Sequence, residues 1–163
     1  MSRIVASTLL AFAVGTAALS AQGPSAGAGT RFGVSVGGIS TVGLVVEFFD
    51  DARSVEFAAG TWSFRDLGLS VVGKQYFGAG AAKPFVGAGL WVVTARPAQE
   101  RRGLALVLRA PIGVDWAIAD EHALGGALNV NRALVVRRSD PDDDIPMTAR
   151  FVPLPELYYR LTR

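Results

Sequence analysis

The sequence predicts an all-β fold, an eight-stranded antiparallel up-and-down β-barrel, on three observations. Beyond residue 30, apolar residues alternate with small or charged ones at a period of two, the pattern of strands whose two faces meet different surroundings. Turn-forming clusters break the alternation at Gly37-Gly38, Asp50-Asp51, Arg65-Asp66, Gly78 to Gly80, Pro97 to Gly103, Asp120-Glu121 and Ser139 to Pro146. Glycine is frequent, at 19 of 163 residues, and lies inside the alternating runs rather than in a linker.

These turns delimit strands at 31–37, 41–49, 54–63, 67–77, 84–96, 104–118, 123–137 and 150–162. The first carries Gly33 and Ser35 on its small face. In the second, Val42, Leu44, Val46 and Phe48 alternate with Thr41, Gly43, Val45 and Glu47; in the third, Val55, Phe57 and Ala59 alternate with Ser54, Glu56 and Ala58. The fourth sets Leu67, Leu69 and Val71 against Gly68, Ser70 and Val72. The fifth sets Val86, Ala88, Leu90 and Val92 against Phe85, Gly87, Gly89 and Trp91. The sixth, LALVLRAPIGVDWAI, has Leu104 to Ile118 on a wholly apolar face and Arg109 and Asp115 on the other. The seventh alternates Leu124, Leu128 and Val130 with Gly125, Ala127, Asn129 and Asn131, and the eighth carries Glu156 and Arg160 opposite Tyr159. Proline cannot donate to a ladder, so Pro111 marks a bulge, and Pro153 and Pro155 precede the regular part of the last strand.

Residues 1–21 read as a cleaved secretory signal: Arg3, an apolar run from Ile4 to Leu19, then small residues before Gln22. Residues 22–30, QGPSAGAGT, read as a flexible leader, leaving 31–163 as the barrel domain. Cysteine is absent, which excludes disulfides and thiol chemistry. The net charge of +2 comes with no basic stripe interleaved with aromatics, which argues against nucleic-acid binding.

After residue 30 no run approaches the roughly 20 apolar residues of a spanning helix. A membrane form of this chain is therefore a closed sheet, which pairs every backbone group without water. The sidedness follows from cost. Eight strands enclose an interior just wide enough for side chains. The small and charged face suits that interior: it is rich in glycine, and its charges, Lys74, Arg109 and Arg160 against Glu47, Glu56, Asp115 and Glu156, pair internally. The apolar face then points outward, into lipid, and the strands span a bilayer. Short turns fall at one end (DDAR, GAGAA, ADEH) and the two longest connections, PAQERRG and SDPDDDIPMTA, at the other, the asymmetry of bacterial transmembrane barrels. Phe48, Phe77, Trp116 and Tyr159 fall near one set of strand ends and Trp62, Phe64 and Phe151 near the other, as aromatic belts would.

The segments KPFVGAGLWV (83–92), APIGVDWAIADEHALGGALNV (110–130) and ELYYRLTR (156–163) resemble the small eight-stranded outer-membrane β-barrel family of bacteria. The resemblance covers nearly all of the chain after the leader; Arg163 departs from the terminal aromatic frequent in that family. It implies an integral protein of the bacterial outer membrane, a monomer in contact with outer-membrane lipids, acting structurally or through its external loops. The open alternatives are a soluble secreted barrel of lipocalin type holding a small apolar ligand, and a small channel or transporter.

The residues offer no catalytic, metal or cofactor constellation. His122 is the only histidine and lies in a short turn. GAGAAK (78–83) completes neither a dinucleotide nor a P-loop pattern, and there is no G-x-S-x-G elbow. The acidic run 139–146 lacks the glycine and terminal glutamate of an EF-hand. Arg96, Arg101, Arg102, Arg132, Arg137, Arg138 and Arg150 gather at the expected external rim, where guanidinium groups suit the phosphates of lipopolysaccharide.

Overall fold

In the computed structural model, which describes residues 27–50, 52–95, 103–137 and 150–163, the chain is all β. The strands are β1 Ala28–Gly37, β2 Ser40–Asp50, β3 Arg53–Thr61, β4 Asp66–Tyr76, β5 Ala82–Ala95, β6 Gly103–Ala117, β7 His122–Arg137 and β8 Phe151–Thr162. Each pairs antiparallel with the next, and β8 pairs with β1, so the sheet closes into a barrel with no free edge along most of its height. The expected strands are all present, with ends shifted by three residues or fewer.

The largest shift corrects the leader. Ala28, Gly29 and Thr30 belong to β1, opposite Asp50, Phe49 and Phe48; small residues without alternation carry no strand signal, and the partner strand draws them into the ladder.

The register fixes the barrel's shape. Lys83 pairs with Asp115, Asp115 with Gly125, Gly125 with Tyr158, Tyr158 with Ser35, Ser35 with Gly43, Gly43 with Gly60, Gly60 with Gly68, and Gly68 with Val93. One circuit thus returns to β5 ten residues further on, from Lys83 to Val93. With ~3.3 Å per residue and ~4.8 Å between strands, that stagger tilts eight strands by about 40°.

The proline expectations are corrected as well. The ladder stays in register across Pro111, with Val86 opposite Ile112 and Gly89 opposite Arg109. The register shift lies instead between Leu106 and Val107, where Leu134 is the extra residue of β7. Pro153 and Pro155 lie inside β8, opposite Val130 and Leu128. The Pro155 carbonyl faces the β1 side, where it accepts from the Gly38 N–H at 2.7 Å. A strand residue presents its N and O to the same side, so the missing donors of both prolines point away from β7. On that side β8 pairs with β1 only from Glu156 onward. The prolines thus occupy, and blunt, the one stretch of β8 edge that β1 leaves bare.

One end of the barrel, the short-turn end, carries the β2–β3, β4–β5 and β6–β7 connections; the other, the long-loop end, carries β1–β2, β3–β4, β5–β6 and β7–β8.

Candidate functional site

The two faces of the sheet differ in chemistry, and the charged one is inside. Glu47, Glu56, Lys74, Arg109, Asp115, Glu156 and Arg160, the seven charged residues expected in the lumen, are all buried, Arg109 to 1% and Arg160 to 2% exposure. The alternates outside include Leu44, Phe57, Leu69, Leu90, Ile112, Leu128 and Leu157, all exposed.

The lumen charges form one connected array. On β3, Glu56 accepts from Arg160 Nη2 at 2.6 Å and from Lys74 Nζ. On β2, Glu47 accepts from Ser54 Oγ at 2.5 Å and Tyr76 Oη at 2.6 Å, with Arg160 Nη1 at 3.0 Å. On β6, Arg109 donates to Asn129 Oδ1 at 2.7 Å, Ser70 Oγ at 3.1 Å and Glu156 Oε2 at 2.6 Å, tying four strands together. Asn129 Nδ2 also donates to Glu156 at 2.9 Å. Aromatic rings line the gaps: Arg160 lies 3.8 Å from the Tyr158 ring centre and Lys74 4.8 Å from that of Phe85. Glycines make the room, since a Cβ at Gly125 would meet the Tyr158 ring at 2.2 Å and one at Gly113 the Phe85 ring at 2.8 Å.

Sequence reasoning set three cations against four anions. Arg31 supplies the fourth: it donates to Asp115 Oδ2 at 2.9 Å and lies 3.8 Å from Glu47. Arg31, Lys74, Arg109 and Arg160 then balance Glu47, Glu56, Asp115 and Glu156. The signal is in the sequence, because Arg31 shares the parity of Gly33 and Ser35, but it stands at the very first residue of the expected strand 31–37, where alternation on one side only gives a face no weight. Tyr76, Ser54, Ser70 and Asn129 also belong to the array; uncharged side chains of mixed character gave no comparable sign.

The lumen is polar only in part. Towards the long-loop end, Ile39, Val45, Ala58, Trp91 and Val107 form an apolar cluster across the interior, flanked by Val93 and Ala105. Ile39 comes from the β1–β2 turn, which folds inward. Its glycine signal was legible; the inward direction was not.

Of the expected aromatic belts, Phe48, Phe77, Trp116 and Tyr159 are exposed towards the short-turn end, and Trp62 in the β3–β4 turn towards the long-loop end, with Phe64 and Phe151. Of the expected rim arginines, Arg132, Arg137 and Arg150 are exposed, and Arg132 stands 5.5 Å from the Phe151 ring centre. Arg96, Arg101, Arg102 and Arg138 lie outside the described residues, as do the acidic run 139–146 and the expected signal peptide. His122 Nδ1 contacts the Tyr159 hydroxyl at the short-turn end. Among the described residues, no group of three or more His, Cys, Asp or Glu could hold a metal ion.

No protein-family model matches this sequence, and no curated protein matches it.

Proposed function

We propose that this protein is an integral β-barrel of a bacterial outer membrane, exported by a signal peptide at residues 1–21 and folded with its apolar face in lipid. The observation that carries the reading is the sidedness of the sheet: balanced, mutually bonded charges inside and large apolar side chains outside on all eight strands. Monomeric soluble proteins rarely expose apolar patches beyond a few hundred Å², and this band runs round the whole circumference. Strand dimensions agree: a ten-residue strand tilted by about 40° rises roughly 25 Å, the height of the apolar band in such barrels.

The same sidedness weighs against the lipocalin-type alternative, whose ligand needs an apolar, vacant interior; here Arg109, Glu56 and Arg160 fill it. It weighs against a standing channel too, since those side chains and Trp91 are buried where a water path would run. We assign the protein a structural or interaction role, as a monomer, met by partners at its long-loop end. Arg132, Arg137 and Arg150, with the other rim arginines, contact outer-leaflet phosphates, those of lipopolysaccharide among them.

The test is fractionation of cells producing the chain, with gel mobility of unheated and heated samples. Release only by detergent, and a mobility shift on heating, are expected. Release into the soluble periplasmic fraction without detergent overturns the reading.

A further inference from the structure

The β1–β2 turn lies across the lumen. Gly37 pairs with Ser40, leaving Gly38 and Ile39 as a two-residue turn, and both Gly37 and Gly38 have positive φ, at 83° and 66°, a conformation glycine adopts at no steric cost. The ladder shifts register between Ser35 and Gly37, just before the turn. Ile39 is 1% exposed and packs on Val45, Ala58, Trp91 and Val107, which come from β2, β3, β5 and β6. The opposite wall is cleared for it, as a Cβ at Gly68 would meet Trp91 Nε1 at 2.8 Å and the Ile39 carbonyl oxygen at 3.6 Å.

Next to this apolar closure sit polar groups without partners. The hydroxyls of Ser35 and Ser40, the indole Nε1 of Trp91 and Oδ1 of Asn131 are buried and have no hydrogen-bond partner among the described residues. Water would satisfy each of them, and the turned-in Ile39 fills the lumen beside them. At the short-turn end a hollow of about 70 Å³, lined by Arg31, Lys83, Asp115 and His122 together with alanines, adjoins the charged array and has room for several waters.

We propose that the β1–β2 turn is a movable stopper that closes the lumen towards the long-loop end and controls water access to the polar groups beside it. The two positive-φ glycines are its hinge, Ile39 is its seal, and the Gly38 N–H to Pro155 bond is its latch. The closed form gains apolar contact around Ile39 and strands four polar atoms; the open form reverses both, which gives the element two competing arrangements. This inference rests on the geometry of the lumen and holds whether or not the outer face meets lipid.

The full chain contains no cysteine, so one introduced thiol reports alone. Ser35→Cys places a thiol beside the stopper with no hydrogen bond lost, and Ser63→Cys in the exposed β3–β4 turn is the reference. With Ile39 in place, a small charged thiol reagent should label Ser35→Cys roughly a hundredfold more slowly than Ser63→Cys, at a rate insensitive to low urea, the mark of local opening. Adding Ile39→Gly should raise the rate roughly tenfold or more. Labelling as fast as the reference, or no acceleration by Ile39→Gly in a barrel that still migrates as folded, overturns the proposal. Should Ile39→Gly fail to fold, the urea dependence decides: labelling that rises with urea from the outset, through global unfolding alone, means that the stopper does not move.

Discussion

The sidedness of the sheet makes Leu128→Arg a decisive substitution. Leu128 lies on β7, 47% exposed on the outer face beside Ile112 and Pro155. Four residues below it, Leu124 pairs with Trp116 and Tyr159; four residues above it, Arg132 pairs with Phe151. At about 3.3 Å per residue along a strand tilted by about 40°, Leu128 stands roughly 10 Å from each aromatic level. It therefore occupies the middle of the band, where an arginine facing lipid costs about 2–4 kcal/mol, against about 0–1 near the interfaces. That range corresponds to roughly a thirtyfold to thousandfold loss in the folding equilibrium. Arg132 already tolerates the boundary, with the Phe151 ring 5.5 Å away. The assay is reversible urea unfolding in phospholipid vesicles, followed by tryptophan fluorescence, with Arg132→Leu as the boundary comparison. In a soluble barrel, Leu128→Arg would remove an exposed apolar side chain and change stability by about ±0.5 kcal/mol or less. A Leu128→Arg protein as stable as its parent, with Arg132→Leu indistinguishable from it, would refute the assignment of the outer face to lipid.

Three further outcomes follow from the lumen and its turns. Arg109→Met should destabilise the barrel by about 3–5 kcal/mol, because Glu156 is left buried without its guanidinium; adding Glu156→Leu should cost less than Arg109→Met alone, and a strictly additive pair in urea unfolding would contradict the connected array. Gly125→Ala should lose about 1–3 kcal/mol through overpacking, since its Cβ meets the Tyr158 ring at 2.2 Å, whereas the nearest atom to a Cβ at Gly73 is 3.9 Å away and Gly73→Ala should be close to neutral; equal effects would mean that the lumen packing is slack. At the long-loop end, where Asp66 opens β4 beyond the apolar band and caps the β3–β4 turn, burial opposes its ionisation, but donation from the Trp62 N–H, Ser63 and Thr61 outweighs it and holds the carboxyl below its usual value. The folded form binds the proton less readily, so the turn's extra stability is present above the ordinary carboxylate range and is lost as pH falls through the lowered value. Amide exchange at Trp62 should accelerate over that acid interval and lose its pH dependence in Asp66→Asn; the same profile in both proteins would exclude Asp66 as the titrating group.

What the sequence disclosed, and what it hid, follows from how each feature is encoded. Strand number and sidedness were legible because alternation writes both faces of a strand into neighbouring residues: Arg109 and Asp115 share one parity, Leu108 and Ile112 the other. Register was not legible, because pairing between strands depends on contacts such as Arg109 with Ser70 and Glu156, distant in the chain. Prolines misled for a related reason. Their cost depends on which side of the strand the missing N–H faces, and that is known only once β8 is seen beside a shorter β1. Ile39 was hidden because a two-residue turn has no periodicity from which to read a direction. The rim arginines were grouped by sequence alone, and the described residues place Arg132, Arg137 and Arg150 at the exposed end without bringing them into one contact set.

The buried charges are better understood as devices of register than as sources of stability. A buried ion pair replaced by well-packed apolar groups is often no less stable, so stability alone does not account for four cations and four anions in the lumen. Slipping one strand by a single residue moves its whole inner set outward. For β6, such a slip would expel Arg109 and Asp115 to the outer face and draw Leu108 and Val114 inward. In a bilayer each expelled charge near mid-height carries a cost of about 2–4 kcal/mol, and Glu156, Asn129 and Arg31 would each lose a partner at the same time. Because Arg109 and Arg160 each reach across the lumen to more than one other strand, the penalty couples the strands, and a slip in any one is opposed by the others. An array of this kind favours the ten-residue stagger of the barrel, in which the lumen charges meet their partners and the outward alternates such as Leu108 and Ile112 stay outside.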